Sequence, residues 1–386
     1  MTEGFMHRAV STRPAWMELD LSALKDNYEV IRHRVGPGTK VFAVVKANAY
    51  GHGAVEVART LRDVDVYALA LGSIAEAVAI RRAGIDAKIL IYGSTLPEAA
   101  SELLAHDLVP TVDTPAAAQV VAAAARSPVP IYVKVDCGFG RLGVPVEEAE
   151  AFVMRVAGLP NLVIEGVYTH LPFSDGAGAA WARQRLAIFN DLVAALGGAG
   201  LEIPVTQAIS SAGIAAGLDP PCTAVACGHL LYGLNPIAAD VADAVPIRPV
   251  LHAIKCRLIH VARLPAGRAA DRDAPYLRTR VAATGVVPVG IRDGYRGPVP
   301  GTTAVMLMRG RRIPVLRVCL ENTVLDLSGI ERPETGEQVT VLGVDDKERI
   351  TLEEISGWQA TSPLNVLMSF DQHFPYREAG GEAASA

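Results

Sequence analysis

Lys46 follows five apolar residues, Val41, Phe42, Ala43, Val44 and Val45, and leads into the small, polar, turn-forming stretch Ala-Asn-Ala-Tyr-Gly-His-Gly. A lysine held at the end of a buried strand loses hydration, which lowers its pKa or costs the ammonium several kcal/mol. A desolvated amine attacks aldehydes, which is the chemistry of a Schiff-base lysine. A lone lysine in such a place more often snorkels to water. The company it keeps decides between the two.

That company comes from other strand-like segments. "KVDCGFGRLG" carries Lys134 inside a strand and Arg141 just past a Gly-rich turn, and "YTH" ends on His170. "SSAG" offers Ser210 and Ser211, and a last strand is expected to begin with Cys227-Gly228-His229. Small residues and backbone donors at such strand ends suit a phosphate. The alternation of Tyr132, Lys134 and Asp136 forms one inward polar stripe, where an unpaired lysine is costly. The simple alternative for Lys134 is an ion pair with Asp136 or Glu165. Taken singly, His170 reads equally as a satisfied core histidine and Arg141 as half of a surface ion pair.

The elements that must position these residues are apolar, β-branched strands at 41–47, 66–72, 87–93, 109–113, 130–136, 162–169, 204–210 and 226–233. Helical periodicity fills the intervals, as in 54–64 and 147–159. "SIAEAVAIRRAG" opens with Ser73 and Glu76 at capping-box spacing and closes on Gly84. Eight strand-helix units predict an α/β fold, a (β/α)8 TIM barrel, whose active site lies at the C-terminal strand ends. A doubly wound open sheet is the alternative, but no Gly-x-Gly-x-x-Gly follows any strand. Beyond about residue 240 the segments are strand-like with Pro/Gly turns, which predicts a mostly β domain. The expected division is a flexible N-terminus (1–14), a barrel (15–240), a β-rich C-terminal domain (241–377) and a disordered tail (378–386).

The chain has 386 residues, 50% hydrophobic and 20% charged, with a net charge of −5. That balance offers no basic field for nucleic acid or an anionic membrane. No apolar run reaches spanning length, and the N-terminus has no signal-peptide core. The cysteines Cys137, Cys222, Cys227, Cys256 and Cys319 are scattered, with no zinc-like spacing, so no metal is expected and a cytoplasmic, reducing location fits best.

"VFAVVKANAYGHG" resembles the pyridoxal-phosphate lysine motif of the alanine racemase family. "WMELDLSALKDNYEVIR", "YVKVDCGFGRLG", "EGVYTH", "LLYGLNP" and "VPVGIRDGY" extend the resemblance along nearly the whole chain. It implies pyridoxal 5′-phosphate bound to Lys46, in a site shared across a homodimer. It also implies that Lys46 is the base facing the D-enantiomer of an amino-acid substrate. Tyr50, Ser211 and the backbone at Gly228 and His229 match the family's phosphate cradle. Arg141 matches the arginine on the cofactor's phenolic oxygen, Lys134 a lysine carbamylated in many relatives, and His170 the histidine beside the pyridine ring. Ser210, at the place of a family asparagine, is counted with the cofactor-binding residues.

The departures are specific. Ile291 replaces the partner-subunit tyrosine that serves as second base, and Ala226 replaces the arginine facing the pyridine nitrogen. The substrate loop reads Leu320-Glu321, and a late tyrosine is Leu364. Two-base racemisation needs a proton donor on each face of Cα, and isoleucine has none to give. Racemisation of a small amino acid is the family's default, with Tyr50, His170 or the partner's Tyr295 as replacement second base. The alternative is one-base aldol-type cleavage of a β-hydroxy amino acid. A cofactor-binding protein without turnover is the third reading.

Overall fold

The computed structural model describes residues 14–64, 66–94, 96–218, 222–238, 241, 245–263, 281–370 and 374–379. The described residues form two units, Leu21–Val250 and a second made of those up to Asp20 with those from Leu251 onward. Neither holds, among the described residues, a helix long and apolar enough to cross a membrane.

The second unit begins with β1 (Ala15–Leu19). The eight strands of the first are β2 (Lys40–Val44), β3 (Ala68–Leu71), β4 (Ile89–Ser94), β5 (Val109–Val112), β6 (Val129–Asp136), β8 (Leu162–Tyr168), β9 (Val205–Ser210) and β10 (Ala224–Cys227). A two-residue strand, β7 (Val144–Pro145), folds back beside the end of β6. The sheet runs β5-β4-β3-β2-β10-β9-β8-β6, and β5 pairs β6 to close it. All these pairings are parallel, so the predicted barrel is what forms. The strands carry β-branched and small apolar residues buried on both faces, as Phe42, Ala43, Leu69, Ala70 and Val133 are. Helices are started by their own side chains: Thr114 accepts the Ala117 N–H and Asp175 the Gly178 N–H.

Two strand expectations need correction. The last barrel strand was expected over 226–233 but spans Ala224–Cys227, and His229–Tyr232 is a 3-10 turn. Gly228 bends the chain out of the sheet there, so Gly228 and His229 follow the strand's C-terminal end instead of beginning it. The barrel was expected to start at residue 15, yet β1 pairs antiparallel with β11 (Leu251–Arg257) and belongs to the second unit. Its other edge takes a parallel strand from the C-terminus, so both rows of its backbone groups are satisfied.

The second unit is mostly β, as predicted. It continues with β12 (His260–Arg263), β13 (Ala283–Val287), β14 (Val305–Met308), β15 (Arg311–Val318), β16 (Thr323–Asp326), β17 (Gln338–Asp345), β18 (Glu348–Ile350) and β19 (Tyr376–Glu378). The sheet order is β12-β13-β16-β15-β14-β17-β11-β1-β19. Glu378 and Ala379, expected in a disordered tail, pair with Leu19. The rest of that tail and the expected flexible N-terminus, Pro14 apart, lie outside the described residues.

Candidate active site

The chain after β2 does something rare for L-residues. Ala47, Asn48, Ala49 and Tyr50 all have φ between 52° and 54°, a full left-handed turn immediately after Lys46. Each such residue costs about 1–2 kcal/mol, so specific bonds must hold the turn. Glu76 Oε1 accepts the Asn48 N–H at 3.0 Å, and Asn48 Oδ1 accepts the Ala54 N–H at 2.8 Å. His52 Nδ1 donates to the Ala49 carbonyl at 3.0 Å. The reversal puts the Lys46 Nζ 5.8 Å from the centre of the Tyr50 ring.

Glu76 is therefore only half of the predicted capping box. Ser73 does accept the Glu76 N–H at 3.3 Å, but the Glu76 carboxylate reaches the left-handed turn.

Ser211 opens the helical turn after β9, and its Oγ accepts the Gly228 N–H at 3.0 Å and the Leu230 N–H at 3.4 Å. A Cβ at Gly228 would lie 2.6 Å from Tyr50 Oη, so only glycine lets the backbone come this close. Tyr50 packs edge-on to His229 at 5.4 Å and against Tyr232 at 5.0 Å. The Tyr232 hydroxyl donates to the Val44 carbonyl at 3.0 Å, anchoring this cluster to β2. Ser210 closes β9 beside Ala226.

Lys134 is buried in β6 with its Nζ 5.1 Å over the Tyr168 ring. Among the described residues no salt bridge reaches it. The expected pair with Glu165 does not form, because Glu165 pairs with Lys88 and accepts from Tyr67 and Tyr132. Asp136 is also committed: its oxygens accept the N–H groups of Gly138, Phe139 and Gly140 at 2.7–2.8 Å, shaping the loop that carries Arg141. Burial, and then the Arg141 charge, lower Lys134 to about 8.

The remaining charges gather around the same point. Lys46 opens to solvent at the mouth, yet desolvation and then Arg141 hold its amine below the ordinary lysine range. His170 is brought down to about 3 by burial first and then by Arg141, Lys134, Lys46 and His229, so its imidazole is neutral. Phe139 lies between two of these groups, 5.8 Å from the His170 ring and 4.8 Å from the Arg141 guanidinium. Lys46, Lys134 and Arg141 thus form one cationic cluster, with the His170 and His229 imidazoles, Tyr50 and Ser211 beside it.

The substituted positions of the second unit are distinct in exposure. Ile291, in a 3-10 turn, is 51% exposed and Leu320 is 72% exposed. Arg292 pairs with Glu321 at 2.8 Å between them. Tyr295 is fully buried, with no partner for its hydroxyl among the described residues, and so offers no exposed phenol to a substrate.

Sequence reading missed Tyr92. Its hydroxyl is buried without a partner, and its ring lies 5.4 Å from that of Tyr168. The signal was present, since Tyr92 stands near the C-terminal end of a barrel strand like the residues that were found.

An electrophile-ready lysine, a glycine-lined cradle of backbone N–H groups and an arginine on a shaped loop suit an aldehyde that carries a phosphate. The buried Tyr92 hydroxyl is a further polar atom that a ligand can satisfy. Fold and site together define a (β/α)8-barrel protein with a candidate Schiff-base lysine at its mouth. The family models "Alanine racemase, N-terminal domain" and "Alanine racemase, C-terminal domain" match residues 19–236 and 251–377. The chain belongs to the alanine racemase family.

The chain is 32% identical over 372 residues to an alanine racemase of Halothermothrix orenii, covering 94% of this chain and 96% of that one. It is 30% identical over 369 residues to one of Methanococcus maripaludis, covering 94% and 98%. Among solved structures, alanine racemase from E. faecalis superposes with a TM-score of 0.83 at 29% identity, covering 98% of this chain and all of that one. Alanine racemase from Clostridium difficile 630 gives 0.86 at 27%, covering 95% and 97%.

Proposed function

We propose that this protein racemises a small amino acid, alanine first, using pyridoxal 5′-phosphate. The observation that carries the reading is the left-handed turn after Lys46, whose Tyr50 lies against both the Lys46 amine and the Gly228 backbone. When bound, the cofactor supplies an electron sink that lets a proton leave Cα. Lys46 would hold it covalently. Ser211, Tyr50 and the backbone at Gly228 and His229 would take its phosphate, with Ser210 alongside. Arg141 would take its phenolic oxygen, and His170 would lie beside its ring.

Lys46 would move the Cα proton on the D face, its amine held below the ordinary lysine range by desolvation and by Arg141. Lys134 would act as a carbamate, turning a buried cation into an anion beside Arg141. Tyr50 stays protonated, since burial raises its pKa, and serves binding better than proton removal. The neutral His170 keeps one more cation away from the reacting centre. A homodimer follows the family pattern and accords with the exposed Ile291 and Leu320. Five free thiols accord with the cytoplasm.

One observation favours a second reading. Ile291 carries no proton where the family has its second base, which suits one-base cleavage of a β-hydroxy amino acid. Incubating the holoenzyme in D2O with L- and D-amino acids separates the two. Deuterium at Cα with inversion supports racemisation. Aldehyde release from β-hydroxy substrates, with retention, selects cleavage. No exchange with any amino acid overturns both and leaves a binding protein.

A further inference from the structure

Three tyrosine hydroxyls of the barrel core have a protein partner. Tyr168 Oη lies 3.0 Å from Thr111 Oγ1, Tyr132 donates to Glu165, and Tyr232 donates to Val44. Tyr92 differs from these three: its Oη is buried and bonded to nothing. A buried hydroxyl left unpaired costs about 1–3 kcal/mol. A barrel needing only volume at this position is served by phenylalanine.

The position of the hydroxyl says what it awaits. Tyr92 stands in β4, its ring tilted against Tyr168, which underlies Lys134. Its hydroxyl also senses Tyr50, which underlies Lys46. Its ring thus lies on the side of the site where Tyr168 carries Lys134. Burial holds its pKa well above the ordinary tyrosine value, so it stays protonated and acts as a donor. A pyridoxal phosphate has three kinds of acceptor. The phosphate has the Ser211–Gly228–Tyr50 cradle, and the phenolic oxygen has Arg141. The resemblance sets position 226 at the ring nitrogen, and the alanine there donates nothing.

We propose that Tyr92 is a ligand-binding residue of this site, its hydroxyl donating a hydrogen bond to the ring nitrogen of bound pyridoxal phosphate. The proposal rests on the cofactor reading above. It has an electronic consequence: a phenol this weakly acidic shares its proton with a pyridine nitrogen without giving it up. The nitrogen stays unprotonated, as an arginine at 226 would keep it, and the chain retains the electronics of a racemase despite losing the guanidinium.

The test compares wild type with Tyr92→Phe, which removes one oxygen. Each apo protein is titrated with pyridoxal phosphate and with its 1-deaza analogue, in which carbon replaces the ring nitrogen. The expected result is a five- to tenfold weaker affinity of the variant for pyridoxal phosphate and an unchanged affinity for the analogue. The apo variant should melt at the same temperature as wild type or higher, since it sheds an unpaired hydroxyl. Equal affinity of both proteins for pyridoxal phosphate overturns the proposal, as does the same loss with both ligands or a lower apo melting temperature. Wild type that fails to retain pyridoxal phosphate at all overturns the cofactor reading instead, and the proposal with it.

Discussion

The carboxylate of Glu76 receives the backbone N–H of Asn48 at 3.0 Å, tying the first turn of one barrel helix to the left-handed turn behind Lys46. Four residues of positive φ in sequence store several kcal/mol of backbone strain, by about 1–2 kcal/mol each. Strain of this size persists only where the surroundings over-determine it.

Glu76→Ala removes that acceptor and leaves a part-buried N–H unpaired, which costs about 1–3 kcal/mol. We expect a lower melting temperature and a loss of cofactor retention larger than the stability loss alone explains. Glu76→Gln keeps an acceptor oxygen and should recover most of both. Equal retention in wild type and Glu76→Ala would show that the turn holds its shape without this bond.

Lys134 is buried with no salt bridge among the described residues, and its pKa near 8 leaves part of the amine neutral and open to carbon dioxide. We expect a carbamate, visible as a protein-bound carbonyl resonance after equilibration with 13C-labelled bicarbonate and absent in Lys134→Ala. Because carbamates decompose in acid, the resonance should fade reversibly as pH falls. An unlabelled protein at neutral pH would assign Lys134 a bare amine over the Tyr168 ring.

His52 supplies a pH dependence whose sign is fixed by burial. Its ring stacks on Tyr232 at 4.8 Å, and desolvation lowers its pKa from 6.5 to about 4 despite the bond to Ala49. The unfolded chain therefore binds the proton first, and folding stability falls as pH drops from about 6.5 towards 4. A shift of this size corresponds to about 3 kcal/mol across that window. Thermal melts of wild type against His52→Asn should show a shallower acid slope in the variant. Identical slopes would remove His52 as the source.

How far the sequence carries can be argued from single residues. The apolar run Val41–Val45 predicts a buried strand because both its faces are apolar, and β2 is that strand. Lys46, Arg141 and His170 were legible because strand ends in a barrel point to one place. Local pattern misleads where tertiary bonding overrides it. The apolar run after Ala226 reads as strand, yet Gly228 turns out of the sheet to meet Ser211. Glu165 was an open partner for Lys134 until the fold gave it to Lys88. β1 was unreadable as part of the second unit, since its partner β11 lies more than two hundred residues away in sequence. The left-handed turn could not be read at all, because Ala47 and Ala49 have no intrinsic preference for positive φ.

Ile291 sets the last prediction. Its side chain is 51% exposed and has no proton to transfer, while Tyr295 is fully buried and His170 is too weakly basic to remove a Cα proton. On the proposed reading Lys46 is then the one strong base at Cα among the described residues, and the two faces of the substrate are unequal. The D-enantiomer, whose Cα proton that reading sets facing Lys46, should exchange with D2O faster than the L-enantiomer by about 10²–10⁴-fold, the usual contribution of one positioned general acid–base. Ile291→Tyr should raise exchange on the L side and leave the D side nearly unchanged. Loss of Lys46, by Lys46→Ala, should abolish both. Equal rates for the two enantiomers in the unmodified protein would mean that a second group reaches the opposite face. Tyr50, on the left-handed turn that follows Lys46, would be the first residue to replace, because its ring centre lies 5.8 Å from the amine.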